Sequence, residues 1–346
     1  MPFLKPELQQ ILQRFELNVT SLETEDVSVH EGFSGAIVYR LETNRGPVAL
    51  RRWPGESLPS ERIRGLHRLL GHLRQSGVTT VAVPWPVADG FGGTLVEYAG
   101  SRWHCEPWLP GAASLVDDAT PAKIRNAMHA LAEWHLHAAT FRAVGKEMDW
   151  FQTGGYGPAP AHQHRFAIME SWPPERRVAI LKNAAGLEPE VAQWVHSYLG
   201  FYDRMEREVK QQTHAALNWH VPLQPCLRDV WHDHILLVEN EVTGIIDPTA
   251  TKTDTVASDL SRFLGSLLAP GDRNWQLSIS AYEEKRPLSE NEHRSLLVLY
   301  RSGTLLNGLS WVNRLTGGES RLMRDSRVVE RLNAILRRIM ELPNHL

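Results

Sequence analysis

The residues of this chain best equipped for chemistry crowd into one stretch. Cys226-Leu227-Arg228-Asp229-Val230-Trp231-His232-Asp233-His234 runs into the apolar Ile235-Leu236-Leu237. The chain then returns as Glu241-Val242-Thr243-Gly244-Ile245-Ile246-Asp247-Pro248, and Ser258-Asp259-Leu260-Ser261-Arg262 follows. The skeleton is an acid, a metal-binding side chain five residues later, a hairpin, and a second acid on the returning strand. Phosphoryl transfer from ATP asks for such a set, because one carboxylate must orient the acceptor hydroxyl while another carboxylate and a neighbouring ligand hold magnesium on the phosphates. A hairpin is expected to bring the two acids together. Asp229 is the candidate base or orienting group, and Asp247 with His234 the candidate metal ligands.

On these residues the chain resembles the aminoglycoside phosphotransferase-like family, which includes choline-kinase-like and homoserine-kinase-like enzymes and shares its core with protein kinases. In that family the loop reads H-G-D-x-x-x-x-N, the metal acid ends an I-I-D strand, and a D-L-A helix follows. The resemblance places Asp229 on the catalytic acid, Asp247 on the metal acid and Asp259 on the acid that buttresses the loop. It also makes Gly32, Ser34 and Gly35 a phosphate loop, where small residues let backbone N–H groups approach anionic oxygens. Val48-Ala49-Leu50-Arg51 resembles V-A-x-K, so Arg51 stands where a lysine meets the phosphates, with Glu61 as its ion-pair partner. His104-Cys105-Glu106-Pro107-Trp108 resembles the hinge strand, with Glu106 and Trp108 at the adenine. Leu131-Ala132-Glu133-Trp134-His135 resembles the L-A-x-L-H helix, where a core role for His135 is the simpler reading. The implied activity is transfer of the γ-phosphate of ATP to a hydroxyl of a small molecule, with Mg2+, or Mn2+, as the metal.

Four positions depart from that pattern: Leu227 replaces the loop histidine, His234 the metal-binding asparagine, Arg51 the lysine, and Pro248-Thr249 the residues after the metal acid. Magnesium prefers oxygen ligands, so His234 is the sharpest departure. Two other readings therefore stay open. One is a pseudokinase or nucleotide-binding scaffold that binds ATP without transfer. The other is a metal-dependent hydrolase, in which His232 and His234 alternate on a strand and join His220.

These residues need elements to carry them. Leu8, Ile11, Leu12 and Phe15 recur at helical spacing near the start, and alternating strands follow around Val27–Val29, Ala36–Leu41 and Val48–Leu50. A helix bears Leu66, Leu69, Leu70 and Leu73, and strands lie near Thr94–Tyr98 and Trp103–Trp108. Leu109-Pro110-Gly111 reads as a joint. We expect an α+β, bilobal protein-kinase-like fold: a small antiparallel-sheet lobe at 1–109, and a larger, mainly helical lobe at 110–346 with a helical insert at about 144–210. Helices over Pro121–Phe141, Leu296–Leu315 and Val328–Met340 belong to the second lobe.

The 346 residues, 42% hydrophobic and 22% charged, suit an ordinary folded chain, and a net charge of -3 without basic runs gives no footprint for nucleic acid or an anionic membrane. Cys105 and Cys226 are too few for a disulfide framework, and no long apolar stretch suggests a membrane span, so the cytoplasm is the expected location. The partner is a small-molecule acceptor. Trp150, Trp172 and Trp219 are candidates for lining its pocket, with core packing the simpler role for each.

Overall fold

The computed structural model describes residues 6–20, 28–31, 36–53 and 58–342, and for 28–31 the backbone alone. In chain order the elements are α1 (Pro6–Gln13), β1 (Ser28–Glu31), β2 (Ile37–Thr43), β3 (Gly46–Trp53), α2 (Ser60–Gln75), β4 (Val96–Tyr98), β5 (Ser101–Pro107) and α3 (Pro121–Ala138). Then come β6 (Gly155–Pro158), α4 (Pro160–Glu170), α5 (Pro174–Ala184), α6 (Pro189–Ala216), β7 (His220–Cys226), β8 (Ile235–Val238), β9 (Glu241–Ile245) and β10 (Lys252–Asp254). The chain continues as α7 (Val256–Leu267), α8 (Arg273–Glu283), α9 (Glu290–Leu306), α10 (Leu309–Thr316) and α11 (Ser326–Glu341). Among the described residues, no helix is long and apolar enough to cross a membrane.

The chain forms two compact units that do not follow chain order. The first comprises Met1–Thr153, Val230–Lys252 and Glu284–Arg286; the second comprises Gly154–Asp229, Thr253–Glu283 and Pro287–Leu346. This division differs from the boundary expected at 109/110, and the joint itself supplies the reason. Gly111 has φ +101, and a Cβ there would stand 2.6 Å from Thr243 Oγ1 and 2.7 Å from the Leu237 carbonyl oxygen. Ala112 N–H donates to that same carbonyl at 3.0 Å, and Thr243 Oγ1–H donates to Pro110 O at 2.6 Å. Only glycine lets the backbone approach the hairpin so closely, so the joint and the β8–β9 hairpin share one unit.

In the first unit, five strands run in the order β1-β2-β3-β5-β4, with every neighbouring pair antiparallel. Alternation along β3 buries Val48 and Leu50, which join Leu8, Ile11 and Leu12 of α1 in one apolar cluster. The pairing Arg51↔His104 sets Arg51 beside β5. Helix α2 buries Ile63, Leu66, Leu69, Leu70 and Leu73 on one stripe. The hairpin closes at its open end through Ile246 N–H donating to His234 O at 2.9 Å, which sets position 247 beside the turn at 232–234.

In the second unit, strand β7 lies between β10 and β6, and α7 packs against both β7 and α9. Here one expected helix is two: the run from Leu296 to Leu315 breaks between α9 and α10. The Tyr198 hydroxyl donates to Leu305 O and accepts from Gly308 N–H at 3.0 Å, and a Cβ on Gly308 would lie 2.3 Å from the tyrosine ring. A buried side chain thus takes bonds that the helix ladder would otherwise make. Trp172 is buried, as its core reading expected, and Trp150 and Trp219 are half-buried.

Candidate active site

The chain passes from the second unit to the first between Asp229 and Val230, so the chemistry-bearing stretch has two halves. In the second unit, the buried carboxylate of Asp259, in the first turn of α7, accepts from Leu227 N–H at 2.7 Å and from Arg228 N–H at 2.6 Å, one oxygen to each. Such charge-assisted bonds hold Arg228 in the left-handed region at φ 65, a conformation that costs a non-glycine residue about 1–3 kcal/mol. The side chain of Arg228 reaches Asp254, with Nε 3.1 Å from Oδ2. Asp254 is fully buried and accepts at Oδ1 from Ala161 N–H (3.1 Å) and Thr255 N–H (2.9 Å). Burial pushes its carboxyl up to about 6, against the opposing pull of Arg228. The next residue, Asp229, is half exposed at 53% and accepts at Oδ1 from both Nε (3.2 Å) and Nη2 (3.0 Å) of Arg262. Helix α7 therefore grips the loop at three successive residues.

In the first unit, Asp247 follows β9 in the left-handed conformation, φ 53 and ψ 58, which aspartate tolerates better than most residues. Its Oδ1 accepts from Arg51 Nη1 at 3.3 Å and from Thr249 Oγ1–H at 3.0 Å. Arg51 is 13% exposed and Asp247 38%, so the pair sits at the edge of solvent, where its contribution to stability is modest. Below Arg51, the His67 and His104 rings meet edge to face at 4.7 Å. Burial, then His104 and Arg51, hold the His67 imidazole well below its usual range, so it adds no positive charge beside Arg51.

The expected Arg51–Glu61 ion pair does not form. Arg51 goes to Asp247, and Glu61 lies 3.8 Å from Lys146, with both side chains more than half exposed. Successive residues of a helix point about 100° apart, and here the next one faces the site. Buried Arg62 donates through Nη2 to the carbonyls of Thr249 (3.3 Å) and Thr251 (3.4 Å), tying α2 to the turn after Asp247.

His234 ends a 3-10 turn, His232–His234, rather than lying in a strand. Its Nε2 accepts from the Trp231 indole N–H at 2.9 Å. The lone pair that a metal would need is thus engaged, and a neutral imidazole in this state carries its proton on Nδ1. The turn also removes the shared strand face expected for a hydrolase: His232 is buried, His234 half-buried, and exposed His220 holds the Asn218 carbonyl from the end of β7 in the other unit. Among the described residues, no cluster of three or more ligating side chains includes any of these histidines.

At the end of β5, Glu106 lies 3.5 Å from His104 Nε2. The N–H of Trp108 donates to Pro47 O at 3.0 Å, and the Arg40 guanidinium covers its ring at 5.4 Å. Since that N–H is taken within the sheet, an adenine contact at this strand needs a different backbone group. Gly32, Ser34 and Gly35 lie outside the described residues. His135 is fully buried in α3.

A sequence model described as the phosphotransferase enzyme family matches residues 27–295. The chain belongs to the phosphotransferase enzyme family. It is therefore a small-molecule kinase with an alcohol group as acceptor. This phosphotransferase is 25% identical over 318 residues to a homoserine kinase of Rhodopseudomonas palustris, an alignment covering 86% of this chain and 81% of the relative. It superposes on an amicoumacin kinase bound to AMP-PNP and Ca2+ with TM-score 0.65 and 14% identity, covering 96% of this chain and 92% of the other. A spectinomycin phosphotransferase bound to ADP and spectinomycin gives TM-score 0.63 at 13% identity, covering 99% and 95%. The fold is thus α+β and protein-kinase-like.

Sequence reasoning about this phosphotransferase passed over Arg62, Trp231, Asp254 and Arg262. Two of them carry a signal in spacing. Arg262 stands three residues after Asp259, which sets both on one side of α7, and Trp231 stands three before His234, the repeat of a 3-10 turn. Arg62 and Asp254 are fixed by tertiary contacts with no local pattern.

Proposed function

We propose that the chain transfers the γ-phosphoryl group of ATP to a hydroxyl of a small molecule. Asp229 orients the acceptor hydroxyl and takes its proton as the oxygen bonds to the γ-phosphorus; the bond from that phosphorus to the bridging oxygen breaks, and ADP leaves. Arg51 meets the phosphates, where a guanidinium offers a rigid two-pronged donor. Gly32, Ser34 and Gly35 are proposed as the phosphate loop, and the strand at Glu106 and Trp108 as the adenine edge.

The observation that carries this reading is the carboxylate of Asp259 holding two consecutive N–H groups immediately before Asp229, a fixed loop that ends on a half-exposed acid. The donor set suits a divalent cation in part. Asp247 offers a hard oxygen, since its Oδ2 has no partner among the described residues, whereas the imidazole of His234 is engaged. We assign Asp247 as the principal ligand of Mg2+ or Mn2+, which when bound neutralises charge on the phosphates. His234 joins it only if the indole bond is given up. The homoserine kinase relatives make small hydroxy amino acids the first acceptors to try. Buried Cys105 and Cys226, neither in a disulfide, favour a reducing compartment, and we place the protein in the cytoplasm.

Purified protein with Mg-ATP and an acceptor panel tests the assignment. We expect Asp229→Asn to lower turnover by about 10²–10⁴-fold with an unchanged melting temperature, and turnover that survives the substitution would overturn Asp229 as the orienting group. A nucleotide scaffold without transfer is the second reading, favoured by the pairing of Asp229 with Arg262 and of Asp247 with Arg51. A thermal shift with ATP that ignores Mg2+ and Mn2+, with no turnover, selects it.

A further inference from the structure

The second unit contains a small pocket walled by α4, α7, α9 and α11. Three arginines converge there: Arg165 from α4, Arg262 from α7 and Arg338 from α11, with Tyr300, Thr304 and Asn307 beside them. Among the described residues that line it, none is Asp or Glu. Its volume of about 40 Å³ equals about three waters at 10–15 Å³ each, which is room for one carboxylate or phosphate group and too little for a ring.

Carboxylates balance the charge of the pocket only in part: Arg262 pairs with Asp229, and Glu341 acts on Arg338. Arg165 Nη1 donates to Leu299 O and to Ser302 Oγ (3.1 Å), and Arg338 Nη2 donates to Ser266 O, all of them neutral acceptors. Asp254, the carboxylate that acts on Arg165, is already ion-paired with Arg228. Burial pulls Arg165 down to about 10; Asp254 pulls the other way, and Arg262 and Arg228 depress it further. Burial likewise lowers Arg338. A guanidinium does not give up its proton at neutral pH, so Arg165 and Arg338 hold their positive charge where burial makes it costly. The backbone makes room for this arrangement as well, because a Cβ on Gly303 would press within 3.3 Å of Arg165 Nη1.

Arg262 joins this pocket to the chemistry, since the same guanidinium that lines the pocket holds Asp229 Oδ1. We propose that the pocket receives the oxyanion group of the acceptor, a carboxylate or phosphate monoester, and that the acceptor is a small hydroxy acid or hydroxyl-bearing phosphate rather than a cation. This inference rests on the reading of Asp229 as the group that orients the acceptor. The oxyanion is anchored one guanidinium away from that carboxylate, and the hydroxyl to be phosphorylated lies a few bonds along the same molecule.

The first measurement needs no activity. Inorganic phosphate and acetate are titrated into the full chain at constant ionic strength, and melting is followed by fluorimetry. We expect a saturable rise in Tm for the wild type, at least tenfold weaker binding in Arg338→Met, and partial recovery in Arg338→Lys. Arg165→Met provides an independent second variant. Equal shifts in wild type and variants, or no shift at all, overturn the pocket as an anion site. The second measurement compares matched acceptors with Mg-ATP: serine with ethanolamine, homoserine with 3-aminopropanol, and glycerate with ethylene glycol. The expected result is at least a tenfold preference in kcat/KM for the carboxylated partner, lost in Arg338→Met. Anion binding with no such preference overturns the acceptor assignment and leaves a free-anion site. Loss of ATP turnover with anion binding intact counts against the phosphotransfer reading instead, so the two failures separate.

Discussion

At position 234 a single hydrogen bond, from the Trp231 indole N–H, occupies the Nε2 lone pair that a metal would need. Spacing alone marks His234 as a ligand, five residues after Asp229. The engagement of its Nε2 by Trp231 depends on the 3-10 turn, which spacing does not display. Replacing Trp231 with Phe removes the indole donor, and we expect nucleotide-induced thermal shifts to favour Mn2+ over Mg2+ more strongly than in the wild type, since imidazole suits transition metals. Replacing His234 with Asn supplies a hard oxygen and should tighten half-saturation by Mg2+ about tenfold, or about 1.4 kcal/mol. If neither variant changes metal dependence, position 234 does not contact the metal. Arg51 shows the same limit of legibility: its strand position was readable, but its partner was not, because Asp247 lies 196 residues away in sequence.

Helix α7 is the element that fixes the loop of the candidate site. It holds Leu227 and Arg228 through Asp259 and holds Asp229 through Arg262. The D-L motif at its start was legible, whereas the threefold grip emerges only when the helix lies against the loop. In Asp259→Asn, one amide oxygen replaces two carboxylate oxygens, so one buried N–H loses its acceptor. We expect a stability loss of about 1–3 kcal/mol, measured by urea denaturation, together with a lower kcat. Wild-type stability in Asp259→Asn would sink this account. Asp254, just before the helix, adds a pH dependence. Its folded carboxyl titrates near 6, above the ordinary value of 3.8, so the folded state binds its proton more tightly than the unfolded chain does. Its contribution to stability therefore falls as pH rises from about 4 to about 6 and is level above that. The Arg228 ion pair needs the ionised form, so activity should rise across the upper part of that window. Asp254→Asn should remove both trends, which parallel Tm and kcat/KM profiles between pH 4.5 and 7.5 would reveal.

At the scale of the whole chain, motif order was legible because each motif is local and its sequence position survives any folding. The compact units were not, because they depend on contacts between distant segments. The hairpin at 230–252 belongs with residues 1–153, although the chain on both sides of it belongs to the other unit. Its attachments are specific. Ile245 N–H donates to Thr80 O at 2.8 Å, Leu237 N–H donates to Ala112 O at 2.9 Å, and Asn126 Nδ2 donates to Asn240 O at 2.9 Å. Leu109 lies so close to Gly244 that a Cβ there would approach Leu109 Cδ1 to 2.8 Å. A fragment ending at residue 153 would therefore leave apolar surface uncovered on α3 and the joint, along with backbone groups that have lost their partners, each costing about 1–3 kcal/mol if it stays out of water. Against a total stability of about 5–15 kcal/mol for a domain, a few such losses are decisive. We expect fragment 1–153 to melt without a cooperative transition by circular dichroism, and a fragment carrying 230–252 on a flexible linker to regain one. A sharp transition in the bare fragment, at the Tm of the full chain, would show that the hairpin is not part of that unit's folding core.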